Sequence, residues 1–269
     1  MNKERVGQFY DVLWQEYTPN LSASKRHWNT FFQAPGVKGK RVLDAGCGPG
    51  VFSLIFAQKE ASCVIGVDIS QESLKAAQRL RKSSRLRAIE LIRNDVLSLC
   101  FKNESFDIVW AWGTVHHTTD PYQGLSELIR VLRPGGSLLL AVYRKTSLTS
   151  LHELLRKILI RTPKFSWLLL AKLLSHVLSP ITALFKKREK SRQGETLEEL
   201  VLDWFFVPIK HFFHPKEVQS FLEANGLTIE TFVPYSGRFN SSSNFIFKAR
   251  KRFSIQRDAS EKRTLTSQD

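Results

Sequence analysis

Apolar residues follow two spacings along this chain of 269 residues. Short apolar runs bounded by Gly, Pro, Asn or Asp recur at Val42–Ala45, Cys63–Asp68, Ala88–Arg93, Ser105–Trp112 and Ser137–Tyr143. Runs of that length and punctuation read as buried strands. Between them lie helical segments: Phe52–Lys59, a helix running from Ser70 to about Lys82, and Leu125–Leu132. Strands alternating with helices predict an α/β doubly wound parallel sheet. Pro215–Asn225 reads as the last helix, with Gly226 as its stop. Leu227–Val233 and Asn244–Lys248 follow as an antiparallel strand pair that completes the sheet. At the start, Val6, Phe9, Tyr10, Leu13, Trp14 and Tyr17 repeat at helical spacing, and residues 22–34 read as a second helix before the Pro35-Gly36 break.

The stretch 144–214 departs from the alternation. Ser150-Leu-His-Glu153 has capping-box spacing. Leu151, Leu154, Leu155, Ile158 and Leu159 then form one apolar face, against His152, Arg156, Lys157 and Arg161. Phe165–Phe185 is more apolar, but Lys172, His176 and Pro180 interrupt it. A spanning helix needs about 20 predominantly apolar residues, so no transmembrane segment is expected. Thr196-Leu-Glu-Glu199 is a second capping-box candidate. The organisation that follows is N-terminal helices over 1–35, a core over 36–143, a helical insertion over 144–214, the rest of the core over 215–250, and a polar, disordered basic tail over 251–269.

Charge sharpens this division. Residues 144–192 hold 12 basic and 2 acidic residues, whereas residues 193–247 hold 3 and 7. The chain's formal net charge of +15 is therefore concentrated in the insertion and the tail. For 147–192 a helical cap over the substrate cleft is expected, and its basic charge makes salt-sensitive contact with an anionic membrane or acidic partner surface the alternative, the two being compatible. Cys47, Cys63 and Cys100 lack metal or disulfide spacing, no metal ligand set is visible, and the charged N-terminus is no signal segment, so a cytoplasmic location is expected.

The chemistry centres on Asp44-Ala45-Gly46-Cys47-Gly48-Pro49-Gly50, which follows the first strand of the core. Gly46 and Gly48 admit backbone angles closed to other residues and let a ligand touch the main chain. The loop's N–H groups and the following helix N-terminus favour a negative group. Asp44 beside them repels a pyrophosphate but suits an ammonium group, so a zwitterion fits better. This heptapeptide resembles motif I of class I S-adenosylmethionine (SAM)-dependent methyltransferases. The resemblance covers residues 36–143 closely and 215–250 more loosely, and implies the seven-stranded Rossmann-like methyltransferase sheet. SAM is the implied cofactor and a small, apolar or lipid-like molecule the implied acceptor.

Asp68 ends the second strand, 18 residues past Gly50, where a carboxylate can accept both hydroxyls of a ribose diol. The resemblance implies cofactor contacts from Asp44, Gly46, Cys47, Gly48, Gly50, Asp68, Ile69, Asn94, Asp95, Val96, Trp112 and Gly113, with Ile69 on adenine and Asp95 at its amino group. After the fourth strand come His116 and His117, either of which can serve as a general base or hold the loop. Adjacent histidines face different ways, so at most one is expected to point inward. Tyr10 and Tyr17 are lid contacts under the resemblance, and His211 and His214, flanked by aromatic residues, are candidates for the acceptor pocket. An RNA methyltransferase is favoured by charge alone. Gly113-Thr-Val-His116 stands where an exocyclic-amine enzyme would carry Asn- or Asp-Pro-Pro-aromatic, and no cysteine follows a proline. A non-catalytic SAM-binding protein remains the third reading.

Overall fold

The computed structural model describes residues 3–13, 36–84, 86–186, 197–234 and 244–253. Its frame is one sheet of strands β1 (Arg41–Ala45), β2 (Cys63–Asp68), β3 (Ile89–Arg93), β4 (Phe106–Trp112), β5 (Leu132–Tyr143), β6 (Leu227–Pro234) and β7 (Asn244–Lys251). The strand order is β3-β2-β1-β4-β5-β7-β6, parallel from β3 to β5, with β7 antiparallel to both of its neighbours. From β1 the chain winds outward to β3; from β4 it winds the other way. The reversal lies between β1 and β4, and the crevice at their C-terminal ends is where open sheets of this kind place ligands.

Helices α2 (Val51–Gln58), α3 (Gln71–Ser84), α4 (Pro121–Val131) and α8 (Pro215–Ala224) belong to the sheet layers. Strand side chains alternate between two buried clusters. Leu43, Val109 and Leu140 enter one, and Val42, Ile108 and Trp110 the other. Burial on both faces explains why these strands read as continuous apolar runs. Helix α4 starts one turn earlier than its apolar spacing suggests. Asp120 accepts the Gln123 N–H at 3.0 Å, and Pro121 occupies the first helical turn. Strand β5 likewise begins early: Leu132 pairs with Phe106 before a bulge, so residues 132–136 belong to the strand, which the apolar run alone starts at Ser137.

Helix α1 (Lys3–Leu13) and three helices between β5 and α8 form a third apolar cluster, with Phe9, Ala171, Val201, Leu202, Phe206 and Val207 buried together. These three are α5 (Thr149–Leu159), α6 (Trp167–Lys186) and α7 (Leu197–Phe205). Ser150 lies inside α5, with Leu148 at the N-cap and no side-chain cap bond, so the first capping box does not form. Thr196, the second proposed cap, lies outside the described residues, as do Tyr17, residues 22–34, Lys187 to Arg192 and the tail beyond residue 253.

Helix α5 is turned opposite to its apolar pattern. His152 and Arg156 are each 4% exposed, while Leu151, Leu154 and Ile158 stand between 54% and 57% exposed. Arg156 decides the orientation. It pairs with Glu153 and donates to the carbonyls of Val207 (2.8 Å) and Pro208 (3.1 Å). A buried guanidinium needs such acceptors. Phe165, Leu168, Leu169, Leu173 and Val177, in and before α6, are exposed as well.

This inversion reverses the usual ranking of substitutions. Arg156→Met leaves two inner carbonyls without their donor and is expected to lower stability by about 2–3 kcal/mol. Leu154→Gln is expected to stay within about 0.5 kcal/mol, as an exposed change. Urea unfolding midpoints of the two variants check this.

Candidate active site

The loop after β1 holds three glycines at positive φ: Gly46 (72°), Gly48 (51°) and Gly50 (79°). Gly46 is required by contact. A Cβ there would lie 2.2 Å from the Thr114 hydroxyl oxygen. Thr114 in turn donates to the Ala45 carbonyl at 2.7 Å, so the loops after β1 and β4 are locked together across the switch point. Gly48 differs, because a Cβ there would meet no atom within 4 Å. The backbone at residue 48 therefore faces open space at the mouth of the crevice.

Two carboxylates lie under this loop. Asp68 accepts the Gly48 N–H at 2.9 Å through one oxygen and the Ser70 N–H at 2.8 Å through the other. Asp44 is 1% exposed and accepts the Ser53 hydroxyl at 2.6 Å. Burial is the main cause that pushes Asp44 up to about 7 and Asp68 to about 6. Neighbouring Asp68 adds to the rise at Asp44. The Cys47 thiol is also buried and pushed well up by burial, which keeps it protonated.

The remaining cofactor candidates follow β3 and β4. Asn94 accepts the Cys100 N–H and donates to the Ser98 carbonyl. Asp95 accepts the Leu97 N–H at 3.0 Å, and Val96 is buried in the core. Trp112 stacks on Trp110 at 5.5 Å, and Gly113 takes φ 74°. Ser70 caps α3 by accepting the Ser73 N–H. Asp11 of α1 adds to that cap, accepting the Ser70 hydroxyl at 2.6 Å and the Glu72 N–H at 3.1 Å. Helix α1 is thereby fixed beside Ile69, whose side chain lies against Gly7. Asp11 has no local sequence signal, because its partners are about 60 residues away.

Both histidines after β4 turn inward. A 3-10 turn over Val115–His117 leaves His116 fully buried and His117 5% exposed, with ring centroids 4.3 Å apart. The expectation that only one points inward fails because the segment 207–213 covers the loop from the other side: the His211 N–H donates to the His116 carbonyl. His116 packs on Tyr143 at 4.1 Å, and neither of its ring nitrogens has a hydrogen-bond partner among the described residues. His117 Nδ1 lies 2.8 Å from the Ile209 carbonyl, and its Nε2 lies 3.7 Å from Asp203. Burial, foremost, holds His116 well below the usual histidine range and His117 at about 4.

Asp203 of α7 gathers the rest of the cluster. It accepts from the hydroxyls of Tyr143 and, at 3.4 Å, Tyr10. Lys210 Nζ lies 3.6 Å from its carboxylate and 4.0 Å above the Tyr143 ring. Burial lowers Lys210 to about 8. Burial alone would raise Asp203, but Lys210 and His117 outweigh it and hold it below the usual range. Sequence reasoning reached Tyr10, His116 and His117 but not Tyr143, Asp203 or Lys210. His211 is half-buried with Nε2 3.0 Å from the Thr118 carbonyl, which ties two loops. His214 is exposed and caps α8, its N–H donating to Glu217, so it stands outside the cluster. Among the described residues no group of three His, Cys, Asp or Glu side chains is placed to hold a metal.

Comparison with known proteins bears on this geometry. Residues 42–136 match the family model described as a methyltransferase domain. Malonyl-[acyl-carrier protein] O-methyltransferase of Erwinia billingiae is 32% identical over 155 residues, 57% of this chain and 58% of that protein. Demethylmenaquinone methyltransferase of Lactococcus lactis is 27% identical over 222 residues, 80% and 86% of the two chains. The chain spans 32% to 58% of the length of the first four curated relatives it matches. Among solved structures, a SAM-dependent methyltransferase of Methanosarcina mazei superposes with TM-score 0.55 at 23% identity, covering 84% of this chain and 96% of that one.

The residues fit the cofactor that this family uses. The open side of Gly48, the positive-φ loop and two acids beside it offer backbone groups and carboxyl oxygens together. The buried acids also carry a consequence for stability. A carboxyl whose folded pKa is raised favours the native state less as it ionises. Asp44→Asn should therefore gain stability relative to the unaltered protein as pH rises from about 4, the ordinary carboxylate value, to about 7. Thermal unfolding of both proteins without ligand, at pH 5 and pH 8, measures that difference and cancels the buried histidines' opposite contribution.

Proposed function

Starting from a class I SAM-dependent methyltransferase domain with SAM as its cofactor, we propose that this protein transfers a methyl group to a small, apolar or lipid-like acceptor. One observation carries the proposal. The glycine loop opens at Gly48 beside the buried Asp44 and the half-buried Asp68, at the switch point of the sheet. Bound SAM supplies a methyl on a positively charged sulfur, and that charge disperses as the methyl moves. The protein's task is then alignment and exclusion of water. Under this reading the Gly46–Gly50 backbone and Asp44 take the amino-acid end, and Asp68 takes the ribose hydroxyls. Ile69, Asn94, Asp95 and Val96 border adenine, and Trp112 and Gly113 border the sulfur. The Erwinia and Lactococcus relatives are named for malonyl-[acyl-carrier protein] and demethylmenaquinone. The aromatic surroundings of the Asp203 cluster favour an acceptor with substantial apolar surface.

A peripheral membrane contact belongs to the same reading. Leu151, Leu154 and Ile158 of α5, Phe165 between the helices, and Leu169 and Val177 of α6 all stand exposed. Residues 144–192 hold 12 basic side chains against two acids, one of which, Glu153, is taken by Arg156. Apolar side chains amid basic charge match an anionic bilayer surface. No described helix is long and apolar enough to cross a membrane.

Calorimetry with SAM and its demethylated product tests the cofactor site. Asp68→Ala should weaken binding by about 1.5–3 kcal/mol, the range for hydrogen bonds to a charged group. Gly48→Val should abolish binding while the protein stays folded, because its side chain fills the open side of the loop and strains positive φ. Transfer of labelled methyl from SAM into a small-molecule extract should follow. Label that enters RNA alone, or none at all, would overturn the small-molecule reading.

The membrane contact has its own measurement. Anionic liposomes should co-sediment with the protein at low salt and release it at high salt, and Leu154→Glu with Leu169→Glu should abolish the effect. Equal, negligible binding to neutral and anionic liposomes would leave these helices as a cap alone.

A further inference from the structure

Asp44 lies one residue before the end of β1, where the glycine loop begins. In register beside it are Gly66 of β2 and Trp110 of β4, neither of which ionises. From α2 the fully buried Ser53 donates its hydroxyl to one carboxyl oxygen at 2.6 Å. Gly66 leaves room for that contact, since a Cβ there would lie 3.0 Å from the Ser53 hydroxyl oxygen. The titratable neighbours of Asp44 are the Cys47 thiol and the Asp68 carboxyl. Beyond Asp68 stands Asp11 of α1, a further acid. Arg93, opposite Asp68 on β3, turns its guanidinium to the Ile69 carbonyl. Among the described residues no lysine, arginine or histidine pairs with Asp44. A carboxylate taken from water without a cation is costly, and it takes up a proton instead. Burial does this at Asp44, and the Ser53 hydrogen bond works against it.

We infer that Asp44 gives up a proton as the cofactor binds, and that Ser53 is the positioning residue that sets the pH at which it does so. This rests on the methyl-transfer reading above. The cofactor's ammonium group brings the positive charge that this loop lacks, and the proton leaves the Asp44 carboxyl for the buffer. A hydroxyl donor favours the ionised carboxyl. Ser53 therefore keeps the loss of the proton close to neutral pH. A ligand that prefers the ionised form binds more weakly as pH falls through the free protein's value, here about 7. Asp68, pushed up to about 6, acts in the same direction. His116 and His117 are held neutral below that window, and Lys210, at about 8, pairs with Asp203 instead.

Calorimetry of SAM binding to the full chain at pH 6, in two buffers of different ionisation heat, counts the protons released. The cofactor's own amino group, with an ordinary value of about 8, is already charged at that pH. About half a proton or more should be released, and the count should fall in Asp44→Asn. Affinity should rise at least about tenfold between pH 5.5 and pH 7.5, as linkage requires of a carboxyl titrating near 7. Ser53→Ala should move that curve to higher pH by at least about half a unit, through loss of a donor to the carboxylate. A merely structural loss at residue 53 would weaken binding equally at every pH. Ser53→Cys, a weaker donor, should shift the curve the same way and serves if the alanine protein does not fold. Heat that is equal in both buffers, a count unchanged in Asp44→Asn, or a midpoint that neither Ser53 variant moves overturns the inference. Carbon-13 NMR of the Asp44 carboxyl in the free protein gives a further check, and a midpoint at the ordinary carboxylate value of about 4 overturns it as well. Failure of SAM to bind at any pH would instead sink the methyl-transfer reading and this inference with it.

Discussion

No side chain fits at residue 46. The Thr114 hydroxyl occupies the volume a Cβ would take, and the same hydroxyl bonds the carbonyl of Ala45. This contact ties together the loops that leave β1 and β4, two strands that already pair directly at the switch point. The loop after β1 is held open toward ligand at Gly48 because it is held shut at Gly46. The loop after β4, carrying both histidines, starts from the same anchor. The register between cofactor loop and histidines thus depends on a hydrogen bond three residues before His117.

The second organising force is electrostatic. The Lys210 ammonium is buried and Asp203 beside it is only partly exposed, and Lys210 holds the Asp203 carboxyl below its usual range while Asp203 offsets part of the burial cost of Lys210. Buried pairs rarely add much net stability over apolar packing. They do impose geometry, since neither charge can be left alone. Around this pair, α1, β5, α7 and the segment past α7 keep fixed mutual positions. The helices outside the sheet are therefore tied to the strand ends by charge as well as by the Phe9–Phe206 apolar cluster.

Much of this was legible in the sequence. Buried parallel strands announce themselves as unbroken apolar runs, and β2 was read to its exact ends. The glycine heptapeptide, Asp68 and the Ser70 cap follow from local chemistry, which a linear reading captures. What escaped was non-local. Asp203 and Lys210 look like ordinary helix and loop charges until tertiary contacts bring them to Tyr143. The leucines of α5 read as one apolar face, and periodicity alone does not say which way that face turns, because amphipathic patterning assumes water on the polar side. Here Arg156 finds carbonyls inside the protein, and the pattern inverts. His116 and His117 were separated by a rule for open loops, whereas the loop is enclosed on two sides.

Helix α1 makes two polar ties from neighbouring residues, Asp11 to the start of α3 and Tyr10 to Asp203. Consecutive side chains on a helix point about 100° apart. A roll of α1 about its own axis that preserves one tie breaks the other. Helix α1 thus fastens the start of α3 and the Asp203 carboxylate through adjacent residues, so a substitution that displaces it bears on both at once.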